Sequence, residues 1–392
     1  MHRGPKWVGQ TSAARGQPAL VAPPVVLDDA NAMERRSLSP DGIKSLFHVL
    51  KQDGFRVVGP SLVAGSVTFA EVGEFDDLAT GLGLEVGPGR ARVVESPAMF
   101  GAIGGPESLK RWQHAPQRVI WTGERGTNGF TGSAVVEEPS DPVAFFGVRA
   151  CDLAGARVLA KAIRRNLDER DLTIALRCTS FAPTCFCTSM GTGPDVPEGG
   201  ADLVLTEIAG KTHTFVVTAA SPRGEALLAR VDSKPATAAD GDKADALVRE
   251  VAAAMPVAFD AAVARSALSQ PGSGWSEVAT RCMACGNCTA VCPTCFCVTV
   301  VDRTNPMATT AERVMRWDSC FTPGFSEMHG GPVRSSTGAR YRQWVSHKVS
   351  WWWEQFGTAG CVGCGRCIVW CPVGIDIRNE VNAAIERSTA HV

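Results

Sequence analysis

Cys282, Cys285, Cys288 and Cys292, followed by Pro293, form a C-x2-C-x2-C-x3-C-P run, and Cys361, Cys364, Cys367 and Cys371, followed by Pro372, repeat the same spacing. Three thiolates two residues apart can wrap a short loop around three corners of a cubane. Amide groups turned inward by that loop can stabilise the cluster's negative charge. Gly286, Gly363 and Gly365 ease the wrapping by tolerating positive φ. In two-cluster ferredoxins the fourth Cys of each run reaches the other cluster. The expected sets are therefore Cys282, Cys285, Cys288 and Cys371 for cluster A, and Cys361, Cys364, Cys367 and Cys292 for cluster B. Two [4Fe-4S] clusters are the expectation. A four-thiolate zinc site is the alternative, and it would make the chain a zinc-stabilised assembly module, although zinc sites space their Cys pairs farther apart.

Seven of the 15 Cys remain. Thr184-Cys185-Phe186-Cys187 is echoed by Thr294-Cys295-Phe296-Cys297. With Cys151 and Cys178, the first copy gives four thiols, enough for a third iron-sulfur cluster or another metal site. A site split across an interface would instead draw on Cys295, Cys297 or Cys320, and buried free thiols acting as small hydrophobes are the plain reading of both groups.

Composition narrows the function. Lys plus Arg at 39 against Asp plus Glu at 40 leaves no net field for a polyanion, so nucleic acid is not expected as a partner. The sequence holds no apolar run of the roughly 18–20 residues that a membrane helix requires. Without a secretory leader pattern and with an odd Cys count, a reducing, cytoplasmic setting is expected, with thiols as ligands. There is no Gly-x-Gly-x-x-Gly fingerprint, no Walker loop and no paired carboxylates, so no catalytic residue is assigned.

Positioning these thiols requires a mixed framework. Residues 1–26 read as a flexible lead-in, residues 27–270 as an α/β or α+β domain, and residues 271–392 as a two-cluster bacterial-ferredoxin-like domain with a long insertion at 298–357. Pro271-Gly272-Ser273-Gly274 marks the linker. Ser39-Pro40-Asp41 opens a helix carrying Ile43, Leu46, Phe47 and Leu50, which Gly54 stops. Residues 143–148 read as a buried strand leading into a helix over 152–163, where Asp152 is expected to serve as a cap. Further strands are expected at 172–176, 202–208 and 214–219, with a helix over 242–255 ended by Pro256. A helix is expected through Ala311, Val314, Met315 and Trp317. Another over 340–356 should use Arg342, His347 and Lys348 as polar positions and pack Trp351, Trp352 and Trp353 against a neighbouring domain or partner. The glycines at 101–105 and 123–132 read as loops. Val291, Ile368, Val369 and Trp370 are expected to shield the clusters, and Arg366 and Arg378 either offset cluster charge or lie in solvent.

The run from Cys282 to Cys297, the run from Gly360 to Ile377, Gly147-Val148-Arg149-Ala150-Cys151-Asp152-Leu153 and Thr184–Cys187 together resemble the beta subunit of soluble sulfhydrogenase-type, NAD(P)-linked nickel-iron hydrogenases. The electron-transfer subunit of anaerobic sulfite reductase is a similar relative. The resemblance covers residues 140–385 in patches and departs at Ala150, where many relatives carry Pro. It implies an electron-transfer subunit without substrate chemistry of its own. Its partners would be a flavin/NAD(P)-binding subunit together with nickel-iron hydrogenase subunits in a hetero-oligomeric cytoplasmic complex, or a sulfite-reducing subunit in the second case.

Overall fold

The computed structural model describes residues 34–136, 141–270, 274–390. The proposed lead-in and most of the Pro-Gly-Ser linker fall outside them. Glu34–Val392 forms one compact unit.

A sheet of eight strands organises the first part. Its order is Lys234–Pro235, Arg35–Leu38, Thr214–Ala219, Leu203–Ile208, Leu172–Leu176, Val143–Arg149, Arg56–Val63 and Ser66–Val72. The four strands from Leu203–Ile208 to Arg56–Val63 are parallel, and antiparallel pairs flank them. The central strands Val143–Arg149 and Leu172–Leu176 are nearly continuous apolar runs because both their faces are covered. On one face lies the expected first helix, Pro40–Gln52, capped by Ser39 and burying Ile43, Leu46, Phe47 and Leu50. The other expected strands and the helix over Ala238–Ala254 are also present.

The helix Ala150–Ile163 follows strand Val143–Arg149 directly. Its N-cap residue is Arg149, with no side-chain cap, so Asp152 is not the cap. Asp152 sits inside the first turn, fully buried, and pairs with Arg366 at 2.8 Å. Gly155 of the same helix lets Pro293 approach, since a Cβ there would stand 2.7 Å from the proline ring.

The expected helix through Ala311–Trp317 is a strand, Thr310–Trp317. It pairs with Val298–Thr304 on one side and Gln117–Gly126 on the other. The three-to-four spacing of Ala311, Val314 and Met315 imitates a helix, but a hairpin ladder with Val298–Thr304 and a long-range ladder with Gln117–Gly126 satisfy this backbone, and only Val314 is buried. The glycines of 123–132 belong to the same sheet: Gln117–Gly126 and Gly129–Ala134 form a hairpin rather than a loop. Only glycine fits at position 132, because a Cβ there would stand 2.0 Å from the Thr122 carbonyl oxygen. The segment after Cys297 is thus stitched to the first half of the chain.

The expected helix over 340–356 is interrupted. Thr337–Ser346 is α-helical, His347–Trp351 is a π turn and Trp352–Phe356 resumes the α form. The extra residue per turn carries Lys348 inward, where it is 3% exposed and not one of the polar surface positions. Trp352 is fully buried against Val158 of the first-half helix, Val362 and Phe296.

His347 lies against Phe296 and Trp352, and burial with the adjacent Lys348 charge pulls its pKa down to about 4. The unfolded imidazole binds its proton near pH 6.5 while the folded one resists, so stability present above that pH is lost as pH falls from about 6.5 towards 4. His347→Gln should flatten this part of the stability–pH curve in urea titrations; an unchanged slope would exclude His347 as its source.

Candidate iron-sulfur centres

The two Cys runs have nearly the same backbone. In the first, Ala284 has φ 52° and Gly286 φ 79°, and a short helix Asn287–Ala290 follows. In the second, Gly363 has φ 64° and Gly365 φ 71°, and the helix Arg366–Val369 follows. The Ala284 N–H donates to Cys282 Sγ at 3.4 Å and the Gly363 N–H to Cys361 Sγ at 3.5 Å. The Ile375 N–H donates to Cys371 Sγ at 3.3 Å. Alternating left-handed residues turn amides inward around the thiols, the arrangement that favours an anionic cluster.

The fourth cysteine of each run lies towards the thiols of the other run. A hollow lined by Cys282, Cys285 and Cys288 also takes in Cys371 and Cys367, with Phe321, Tyr341 and Trp344 as its apolar wall. Cys371 and Cys285 act electrostatically on Cys282, whereas Cys292 acts on Cys361, Cys364 and Cys367. Among the described residues no three His, Cys, Asp or Glu side chains converge on a single ion. The thiols therefore group by the loops that carry them and by mutual influence. Their donor set, cradled by amides and apolar rings, fits an iron-sulfur cluster.

Burial pushes most of these thiols up, Cys361 to about 12 and Cys288 and Cys367 well above the ordinary range. Ligation must then displace protons, because iron binds thiolate. Cys292 is the exception: a hydrogen bond from Cys295, helped by the Lys348 charge, lowers it despite burial, and Cys295 as the donor is raised. The Lys348 ammonium donates to Thr294 Oγ1 at 2.6 Å, and that hydroxyl donates to the Gly360 carbonyl. Neither buried lysine of this region, Lys110 nor Lys348, has a sequence signature.

The two Thr-Cys-Phe-Cys copies flank the second run. The Phe186 N–H donates to the Gly363 carbonyl at 2.8 Å. Backbone of Thr184–Cys187 approaches so closely that a Cβ on Gly363 or Gly365 would stand 2.5 or 2.3 Å from the Phe186 or Thr184 carbonyl oxygen. Thr294 of the other copy holds Gly360. Around the first copy, Cys178 and Cys364 act on Cys151, Cys185 is raised to about 11 and Cys187 to about 12, all chiefly by burial. Arg149 hydrogen-bonds Cys178 and its Nη2 reaches the Phe100 carbonyl. Arg366 is buried, and the charge that burial disfavours is restored by Asp152, Cys364 and Cys151. Arg366 is thus no surface residue, whereas Arg378 closes on Asp376 at 2.7 Å. Cys295 and Cys297 line a cleft with Lys110 that reaches Cys285 of the first run, and Cys320 lies beside Cys297. Ile368 and Val369 are buried as shielding requires; Val291 and Trp370 are half-buried, the Trp370 indole donating to the Gly104 carbonyl at 2.8 Å.

Residues 281–375 match the family model of a 4Fe-4S dicluster domain. The dicluster domain thus contains both runs, the Thr294–Cys297 copy and the stitched segment between them. The chain is also similar to sulfhydrogenase 2 subunit beta of Pyrococcus furiosus, 29% identical over 248 residues, covering 59% of this chain and 70% of that relative. Among the described residues no helix is long and apolar enough to cross a membrane.

Ala284 occupies the left-handed position that Gly363 fills in the other run, so Ala284→Gly should stabilise the first loop by about 1 kcal/mol. Gly365→Ala should do the opposite by colliding with Thr184. Iron release to a chelator, followed at the visible absorbance, should slow in the first variant and speed up in the second; equal rates would refute the cradle. Asp152→Asn leaves the buried Arg366 without its carboxylate and should cost about 3–5 kcal/mol in urea unfolding, against at most 1 for an exposed pair.

Proposed function

We propose that this chain is an electron-transfer subunit that relays electrons through [4Fe-4S] clusters between a flavin/NAD(P)H-handling subunit on one side and a nickel-iron hydrogenase module on the other. The dicluster domain supports an electron-transfer role as such. The observation that carries the reading is the place of Cys371 in the hollow of the first run and of Cys292 beside the thiols of the second, on loops of matching backbone. Cluster A would be held by Cys282, Cys285, Cys288 and Cys371, and cluster B by Cys361, Cys364, Cys367 and Cys292.

A third cluster would take Cys151, Cys178, Cys185 and Cys187. The buried Arg366 and the half-buried Arg149 supply the positive charge that an anionic group needs there. When bound, such clusters supply one-electron carriers at potentials set by charge, hydrogen bonds and burial. The chain's own part is to fix the thiols, aim amides at them and exclude water with Phe321, Tyr341, Trp344 and Trp352. The hydrogenase side of the proposal is favoured by the sulfhydrogenase beta-subunit relative.

Anaerobic purification of the native complex tests the reading. Nickel and flavin should co-purify with this chain, and about eight iron atoms per chain should be lost when all eight Cys of the two runs are changed to Ser. Co-purified sirohaem without nickel would transfer the chain to a sulfite-reducing complex. Zinc with no acid-labile sulfide would overturn electron transfer altogether.

A further inference from the structure

The three thiols that remain, Cys295, Cys297 and Cys320, form a group apart from Cys151, Cys178, Cys185 and Cys187. Each Thr-Cys-Phe-Cys copy brings two thiols to a flank of the second run, one copy at Gly363 and Gly365 and the other at Gly360. The first copy gains two further thiols, from Cys151 and Cys178. The second gains one: the Cys320 N–H donates to Cys297 Sγ, and the Asp318 N–H to the Cys297 carbonyl at 2.9 Å.

Beside the second group the structure has a cleft. Its space, open solvent included, is about 600 Å³, and its wall includes Cys295, Cys297, Lys110 and Trp317, together with Cys285 of the first run and the Asp318 carboxylate. Two buried ammonium groups serve these thiols. Lys110 is 4% exposed, donates to the Thr289 and Ala290 carbonyls at 3.1 and 2.7 Å and lies 3.8 Å from the Trp317 ring centre. Lys348, also buried, faces the same thiols. Buried ammonium groups need compensating negative charge, and cysteines are their chief anionic partners here.

We propose that Cys295, Cys297 and Cys320 hold a further [4Fe-4S] cluster by three thiolates, leaving its fourth iron open to the Lys110 cleft for a small anionic sulfur ligand, a thiolate or hydrosulfide. The ligand class follows from a soft metal facing an ammonium group. Loading from a tetrathiolate [4Fe-4S] complex balances by exchange: three protein S–Fe bonds form, three donor S–Fe bonds break, and the three protein protons pass to the departing thiolates. The fourth donor thiolate stays on the open iron. The inference rests on the iron-sulfur reading above, and on the parallel with the third cluster.

Cluster transfer from a 2-mercaptoethanol-ligated [4Fe-4S] complex carrying isotopic label in the thiol tests it on the full chain. About 16 iron atoms and one retained labelled thiol per chain are expected. Changing Cys295, Cys297 and Cys320 to Ser should remove about four iron atoms and the label. Changing Cys185 and Cys187 to Ser should remove about four iron atoms and keep the label. Circular dichroism checks the fold of both variants, and the label on the wild-type chain needs no variant. About 12 iron atoms without label in the wild type, falling only in the Cys185/Cys187 variant, would overturn the open site and leave the third cluster standing. About 16 without label would overturn the open iron, and about eight would overturn both additional clusters.

Discussion

The contact on which most of the structure depends is the close approach of the Thr184–Cys187 backbone to the glycines of the second Cys run. At Gly363 and Gly365 there is no room for a Cβ, and both residues are left-handed. One steric requirement therefore does two things. It turns amides towards the thiols of the run, and it fixes the first half of the chain to the dicluster domain within hydrogen-bonding distance. The Asp152–Arg366 ion pair locks the same junction from the helix Ala150–Ile163.

Charge explains the composition of this junction better than packing does. A near-neutral chain buries Arg366, Lys110 and Lys348 close to its cysteines. Such cations are costly inside a protein unless partners are nearby. Asp152 pairs with Arg366, while Lys110 donates to the Thr289 and Ala290 carbonyls and Lys348 to Thr294 beside the Cys292 and Cys295 thiols. This is also why burial raises so many thiols while Cys292, beside Lys348 and Cys295, moves the other way.

The stitched sheet gives the arrangement its rigidity. Strands Val298–Thr304 and Thr310–Trp317 leave the dicluster domain and pair with a hairpin from the first half, so the segment between the two runs acts as a strap. It also carries Trp317 to the face of Lys110. The π turn at His347–Trp351 has a comparable effect, turning Lys348 inward and placing Trp352 behind Gly360, where the indole fills the space a side chain would need.

The sequence by itself pointed to a two-cluster iron-sulfur domain, because the ligand spacing of a cluster loop is local, and residues 281–375 match a 4Fe-4S dicluster model. It also pointed to strands at 143–148 and 172–176, a helix over 152–163 and a first helix through Ile43–Leu50, where burial on one or both faces writes a clear period. It misread Thr310–Trp317 as a helix because strand pairing is decided by partners outside the segment, one of them, Gln117–Gly126, nearly two hundred residues away. It misread Asp152 as a cap and Lys348 as a surface position because burial of a charge depends on which counter-charge the fold brings to it. The repeated Thr-Cys-Phe-Cys was visible from the start. Only the tertiary structure decided that both copies touch one loop, one at Gly363 and Gly365 and the other at Gly360, since that relation is set by the glycine contacts and the strap, and neither leaves a local pattern.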